Sequence, residues 1–182
     1  MSQVLERSLK PSEHPEFFER PPPEGRSRES SIVLTKDGRF LHEGAAIEHG
    51  GMARAFSSWI GRHPQDGRYI LNNGYDWTYF TVEDTPYFVE QLVPAGKADT
   101  EPVLVLSDGS SEALRLSNLR VDKQGLVYCW VKNGDHEARF TRLAQLSLAT
   151  FVLEQPGADA DLNPMLELGG QRVALKPRGV PE

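Results

Sequence analysis

The segment from Leu126 to Phe140 constrains this chain more than any other. Two runs that alternate apolar and polar residues flank Asn133-Gly134. Such a pair between β-type runs signals a two-residue hairpin, because both turn residues need positive φ. The turn then sets the register. Lys132 faces Asp135, Val131 faces His136, Trp130 faces Glu137, Cys129 faces Ala138 and Tyr128 faces Arg139. Successive side chains point to opposite faces. Val127, Cys129, Val131, His136, Ala138 and Phe140 share one face, which reads as core, with Cys129 a small buried apolar residue. Tyr128, Trp130, Lys132, Asp135, Glu137 and Arg139 share the other. A slip of one residue would exchange the two faces. The polar-aromatic face has two readings. One is a solvated sheet face with cross-strand pairs. The other is a ligand platform, with rings for stacking and Arg139 for anion contact.

The same grammar extends along the chain. Ile32–Thr35, Asp37-Gly38 and Phe40–His42 form a second hairpin signal, read with a two-residue turn. Gly50-Gly51 then opens a helix with Met52, Phe56, Trp59 and Ile60 on one stripe. Strands are expected at 68–72, 76–82 and 86–92, with turns at Asn72-Asn73-Gly74 and Asp84-Thr85-Pro86. Beyond them come Val103–Leu106, a turn at Asp108-Gly109, Ala113–Leu116 and the 126–140 hairpin. A helix follows from Thr141, with Leu143, Ala144, Leu146, Leu148, Phe151 and Val152. It is apolar almost all round and is expected to lie deeper than the first. Leu166–Leu168 and Val173–Leu175 suggest a last hairpin. Strand, turn, strand, helix thus occurs twice, at 32–62 and 126–153, with negligible identity between the two stretches. The expected fold class is α+β, with two β-rich lobes that each carry a hairpin-plus-helix unit. The expected boundaries are a Pro-, Glu- and Arg-rich tail at 1–30, an N-terminal lobe at 31–95, a C-terminal lobe at 102–176 and a frayed tail at 177–182. Phe17-Phe18 is the candidate anchor if the first tail is a docked arm. Residues 94–101 read as the linker and 154–164 as a second loop.

Composition narrows the function classes. The chain has 182 residues and a net charge of -6, which disfavours nucleic-acid binding through bulk electrostatics. The single cysteine excludes an internal disulfide and a multi-cysteine metal site. There is no signal-peptide pattern and no apolar run of membrane-spanning length. A cytoplasmic location is expected, without membrane association.

Several motifs carry candidate chemistry beside a plainer role. Gly50-Gly51 with Arg54 suits an anion at a helix start or a simple flexible entry. Glu83 and Asp84 before Thr85-Pro86 suit a divalent cation or acid-base work, or ordinary turn chemistry. His42, Glu43, Glu48 and His49 match no zinc-protease spacing, and His14 and His63 read as surface residues. Trp77, Tyr79 and Thr81 share a strand face that is either core or the wall of a small-molecule cleft.

Asp37-Gly38, Gly44, the helix over 52–60, Gly67-Arg68-Tyr69, Val82-Glu83-Asp84-Thr85-Pro86-Tyr87 and Gly134 with Glu137-Ala138-Arg139 and Arg142 occur in an order that resembles one bacterial family. It is the domain of unknown function family numbered twelve eighty-five, and the resemblance spans residues 32–153. It implies a duplicated core, a C-terminal lobe like a pleckstrin-homology fold, a ligand site between the lobes and a signalling role. It brings no enzymatic activity and no cofactor. The leading expectation is therefore a non-catalytic regulatory protein that binds a small anionic, nucleotide-like ligand. Arg139 and Arg142 would contact the anion, while Trp77, Tyr79 and Asp84 would shape the cleft. The alternatives are a protein-interaction module with a protein partner and a metal-dependent hydrolase using Glu83 and Asp84.

Overall fold

The computed structural model describes residues 11–14, 16–93, 102–150, 165–168 and 171–179. Two mixed sheets and two α-helices give an α+β protein. The chain divides into two compact units, Met1–Asp84 and Thr85–Glu182. The sequence placed this boundary within 94–101. Those residues lie outside the described ones, and the strand that precedes them belongs to the second sheet.

The first unit contains β1 (Glu29–Leu34), β2 (Phe40–His42), β3 (Ala45–Ala46), α1 (Gly50–Trp59), β4 (Ile60–Arg62), β5 (Tyr69–Asn72) and β6 (Trp77–Val82). The sheet order is β3-β2-β1-β6-β5-β4, with β1 and β6 parallel. The first hairpin differs from expectation in its loop. Thr35 and Arg39 close it through a 2.9 Å hydrogen bond, so the turn is Lys36-Asp37-Gly38. Gly38 takes the left-handed conformation that a three-residue loop requires. One sheet face buries Leu34, Phe40, Leu71 and Phe80, with Phe56 of α1 edge-on to Phe40 at 5.4 Å. Helix α1 starts at His49, whose Nδ1 accepts from the Met52 amide at 3.2 Å. That cap occupies the helix start read above as an anion site. The opposite face carries Ile70, Trp77 and Tyr79, and Phe17 and Phe18 pack on it. Phe17 is 2% exposed and the Ser12 amide donates to the Gly74 carbonyl, so this N-terminal segment is docked on the sheet.

The second unit contains β7 (Tyr87–Val93), β8 (Val103–Leu106), β9 (Ser111–Ala113), β10 (Leu119–Val121), β11 (Val127–Val131), β12 (His136–Phe140), α2 (Arg142–Ala149), the hairpin β13 (Met165–Leu168) and β14 (Gln171–Ala174), and β15 (Lys176–Pro177). Its main sheet runs β15-β10-β11-β12-β7-β8-β9, with β12 parallel to β7. The β11–β12 register is the expected one, from Tyr128 opposite Arg139 to Val131 opposite His136. Asn133 and Gly134 both have positive φ as expected, but so does Lys132. Strand pairing therefore stops at Val131 and His136. The connection spans 132–135, closed by the Asp135 amide donating to the Lys132 carbonyl at 3.1 Å. The expected core face is buried, Cys129 included. Burial pushes the Cys129 thiol up to about 12, helped by Glu112 and Glu137.

Four expectations change here. Strand β10 was missed, because Leu119-Arg120-Val121 is short and has an arginine at its centre. Arg120 is nonetheless buried, and its Nη1 donates to the carbonyls of Ser117 and Leu119. The strand expected at Ala113–Leu116 ends at Ala113. Helix α2 is amphipathic rather than buried all round. Ala144 and Leu148 are buried, whereas Leu143 and Leu146 are 74% and 59% exposed. Phe151 and Val152 lie outside the described residues. The tail at 177 onward is not frayed as far as Gly179, since β15 pairs with β10 and the Arg178 amide donates to the Val121 carbonyl at 2.7 Å.

The duplication is present, with a different phase. The first unit reads third-second-first-sixth-fifth-fourth strand across its sheet, and β7 to β12 repeat that order. Each unit is two three-stranded meanders joined by a parallel pairing of its first and sixth strands. The helix falls between the meanders in the first unit and after them in the second. The repeat is therefore six strands, not a hairpin plus a helix.

Candidate binding sites

The polar-aromatic face of β11–β12 borders an open cleft of about 1100 Å³ in the second unit. Trp130, Lys132, Glu137, Glu112, Arg115 and Asn118 are among its walls. Alternation along β11 turns Trp130 away from the core, and it remains 44% exposed. Tyr128 shares that face but is covered by the Arg178 guanidinium. Arg178 also donates to both carboxylate oxygens of Glu137, at 2.8–3.2 Å. Lys132 is held at the far end. Its ammonium donates to Asp108 at 2.7 Å and to the Ser110 hydroxyl, and its amide donates to Glu112. Burial raises the Asp108 carboxyl, but hydrogen bonds from Lys132 and Ser110 outweigh this and hold it below its ordinary value. Arg115 is exposed and has no ion pair among the described residues. The cleft thus offers an indole face and one uncommitted guanidinium.

The residues singled out from the sequence fall in both units. Trp77 and Tyr79 meet at right angles, with ring centroids 5.1 Å apart. Arg68 lies over the Tyr79 ring at 3.7 Å and pairs with Glu29, whose carboxyl this hydrogen bond holds below its ordinary value. Tyr79 donates to Asp66 at 2.9 Å. Burial and that bond raise the Tyr79 phenol. Asp84 is half-buried just past the end of β6, whereas Trp77 opens that strand. The strand between them, Trp77–Val82, spans about 16 Å. In the second unit Arg139 packs its guanidinium over Phe88 at 5.3 Å and does not line the Trp130 cleft. Arg142 is the exposed first residue of α2. Glu83 accepts the Lys36 amide at 2.8 Å, which gives it a turn role. No group of three or more His, Cys, Asp or Glu placed for a metal occurs among the described residues.

Sequence reasoning missed two participants. Arg115 sat unremarked in an expected strand. His63, read as a surface residue, is 5% exposed and packs between Trp77 and Phe18. Its neighbours in sequence are polar, so only the tertiary fold reveals its burial.

These features define a two-unit α+β protein with an open polar-aromatic cleft in the second unit. The chain matches no protein-family model and no curated protein. Two solved structures are similar. One is a DUF1285 family protein from Silicibacter pomeroyi DSS-3, 20% identical, with a TM-score of 0.62 over 82% of this chain and 81% of that one. The other is a DUF1285 family protein from Shewanella baltica OS155, 16% identical, with a TM-score of 0.53 over 68% of this chain and 94% of that one. The fold is that of DUF1285 family proteins, in agreement with the sequence resemblance. No helix among the described residues is long and apolar enough to cross a membrane.

Proposed function

We propose that this chain is a non-catalytic regulatory protein of the cytoplasm that binds a small anionic, nucleotide-like ligand. The supporting observation is the half-exposed Trp130 ring in a cleft that also presents the uncommitted Arg115. A base would stack on Trp130, and Arg115 would take phosphate oxygens. Lys132, already engaged by Asp108 and Ser110, positions the cleft rather than closing on the ligand. The signalling role rests on the family resemblance, and the alternative contact set of Trp77, Tyr79, Asp84, Arg139 and Arg142 on that resemblance together with the hairpin face.

A thermal-shift series over nucleoside mono-, di- and triphosphates and sugar phosphates tests the proposal. A binder at 100 times its dissociation constant stabilises by about 2.7 kcal/mol. Trp130→Ala and Arg115→Ala should abolish the shift and leave the unliganded midpoint unchanged. If Arg139→Ala or Tyr79→Ala abolishes it instead, the resemblance-based set is the site. The absence of any shift across the series would overturn both.

A second reading, a protein-interaction module, is favoured by the exposed Leu143 and Leu146 on one side of α2. Concentration-dependent association of the full chain in sedimentation, lost in Leu143→Ser/Leu146→Ser, would support it.

A further inference from the structure

We infer that the slot now filled by the Phe18 ring in the first unit, a groove once that ring moves, is a separate binding site for a small aromatic carboxylate, with Phe18 as its displaceable cap.

The Nε2 of His63, the Nε1 of Trp77 and the Nε of Arg28 are buried and have no hydrogen-bond partner among the described residues. Buried nitrogens of this kind are normally satisfied, and each one left open costs about 1–3 kcal/mol. The three side chains pack together, with Trp77 touching both others. His63 lies 4.8 Å from Trp77 between centroids, and the Arg28 guanidinium carbon is 4.4 Å from the Trp77 centroid. His63 Nδ1 faces both the Gln65 amide and the Asp66 carboxylate, each at 3.4 Å, so Nε2 is the ring nitrogen left open.

Two N–H donors, one of them cationic, beside the open imidazole nitrogen call for acceptor oxygens, and a carboxylate supplies two with four lone-pair sites. The nearby acids are already engaged. Asp76 accepts from Arg28, and Asp66 accepts from the Tyr79 hydroxyl and the Arg68 amide. The aromatic half of the ligand follows from what fills the groove now. The Phe18 ring stands edge-on to His63 at 5.5 Å and tilted to Trp77 at 6.0 Å. A phenyl group fits this slot but brings no acceptor.

Phe18 is the part of the arm that can yield. Phe17 is fully buried, whereas Phe18 is half-buried, and their segment forms a single 3-10 turn with no strand pairing. The arm's other ties include Ser12 to the Gly74 carbonyl and Arg28 to the Arg20 and Pro21 carbonyls, each at 3.1 Å. Phe18 can swing out while these hold.

The experiment is a phenylacetate titration of the full chain, followed by the indole N–H signals of its three tryptophans, with Trp77 assigned through Trp77→Phe. A saturable downfield shift of the Trp77 signal is expected. Phe18→Ala should bind phenylacetate at least about tenfold tighter, and adding Trp77→Phe should remove about tenfold. The alcohol 2-phenylethanol, which keeps the ring and lacks the carboxylate, should bind weakly to both chains. The absence of a saturable Trp77 shift in the wild-type chain and in Phe18→Ala, or equal affinity for 2-phenylethanol, would overturn the site. If Phe18→Ala does not fold, the wild-type titration against the two ligands decides alone. Arg115→Ala should leave these results unchanged, which separates this groove from the Trp130 cleft.

Discussion

Arg178 lies over the ring of Tyr128, its guanidinium carbon 3.7 Å from the ring centroid. The same guanidinium holds Glu137 on the adjacent strand. One side chain near the C-terminus therefore closes the part of the hairpin face that Trp130 leaves open. Arg178→Ala should cost about 1–2 kcal/mol in urea unfolding. Arg178→Lys should recover less than half of that, because an ammonium neither stacks flat nor bonds both oxygens. An unchanged midpoint in Arg178→Ala would show that the contact contributes nothing.

The Asp108–Lys132 pair gives a pH test. A carboxyl held below its unfolded value contributes stability that is present above the unfolded pKa and is lost as pH falls through the folded one. The wild-type chain should therefore lose stability as pH falls below the ordinary Asp value of about 4. Asp108→Asn should be less stable at pH 7 and decline less on acidification, so the two curves converge. Parallel curves would rule out Asp108 as a contributor.

Cys129 should be inert while the chain is folded. With its thiol pushed up to about 12, almost no thiolate exists at pH 8, and the sulfur is buried. Labelling by an aromatic disulfide reagent should follow the unfolding equilibrium and accelerate with urea. Rapid labelling in native buffer would contradict the burial.

Gly134 is the position where the hairpin turn requires glycine. Its φ is 92°, and an added Cβ would meet nothing within 4 Å, so the cost of a side chain lies in the backbone alone. Gly134→Ala should destabilise by about 1 kcal/mol, whereas Asn133→Gly should be near neutral. Equal stability of Gly134→Ala and wild type in urea would mean that the turn relaxes to another type.

What the sequence revealed was local. Asn133-Gly134 sets two φ angles, and those two residues determine which face each side chain from Val127 to Phe140 takes. Four expected pairs, from Tyr128–Arg139 to Val131–His136, form as written, because nothing distant is needed to place them. Where long-range pairing decides, the reading failed. Tyr87–Val93 follows β6 in sequence but joins the second sheet through β12, about fifty residues later. The burial of His63 depends on Phe18, and the cover over Tyr128 depends on Arg178, neither of them near in the chain. Leu143 and Leu146 look like core residues by composition, yet only one stripe of α2 touches the sheet. Of the binding residues, Trp130 follows from register, whereas Arg115 becomes notable only once its neighbours are seen to be paired.

The pairing of first and sixth strands has a consequence for how the chain reaches this state. Each meander can form early from hairpins a few residues apart, but neither unit has a central strand pair until its last strand arrives. Leu34 meets Val82 and Val89 meets Phe140, so each unit closes a loop of roughly fifty residues before its core is complete. Folding should be slow for the size of each unit. A nascent chain released before β6 or β12 leaves β1 or β7 with an open edge, the template on which chains associate wrongly.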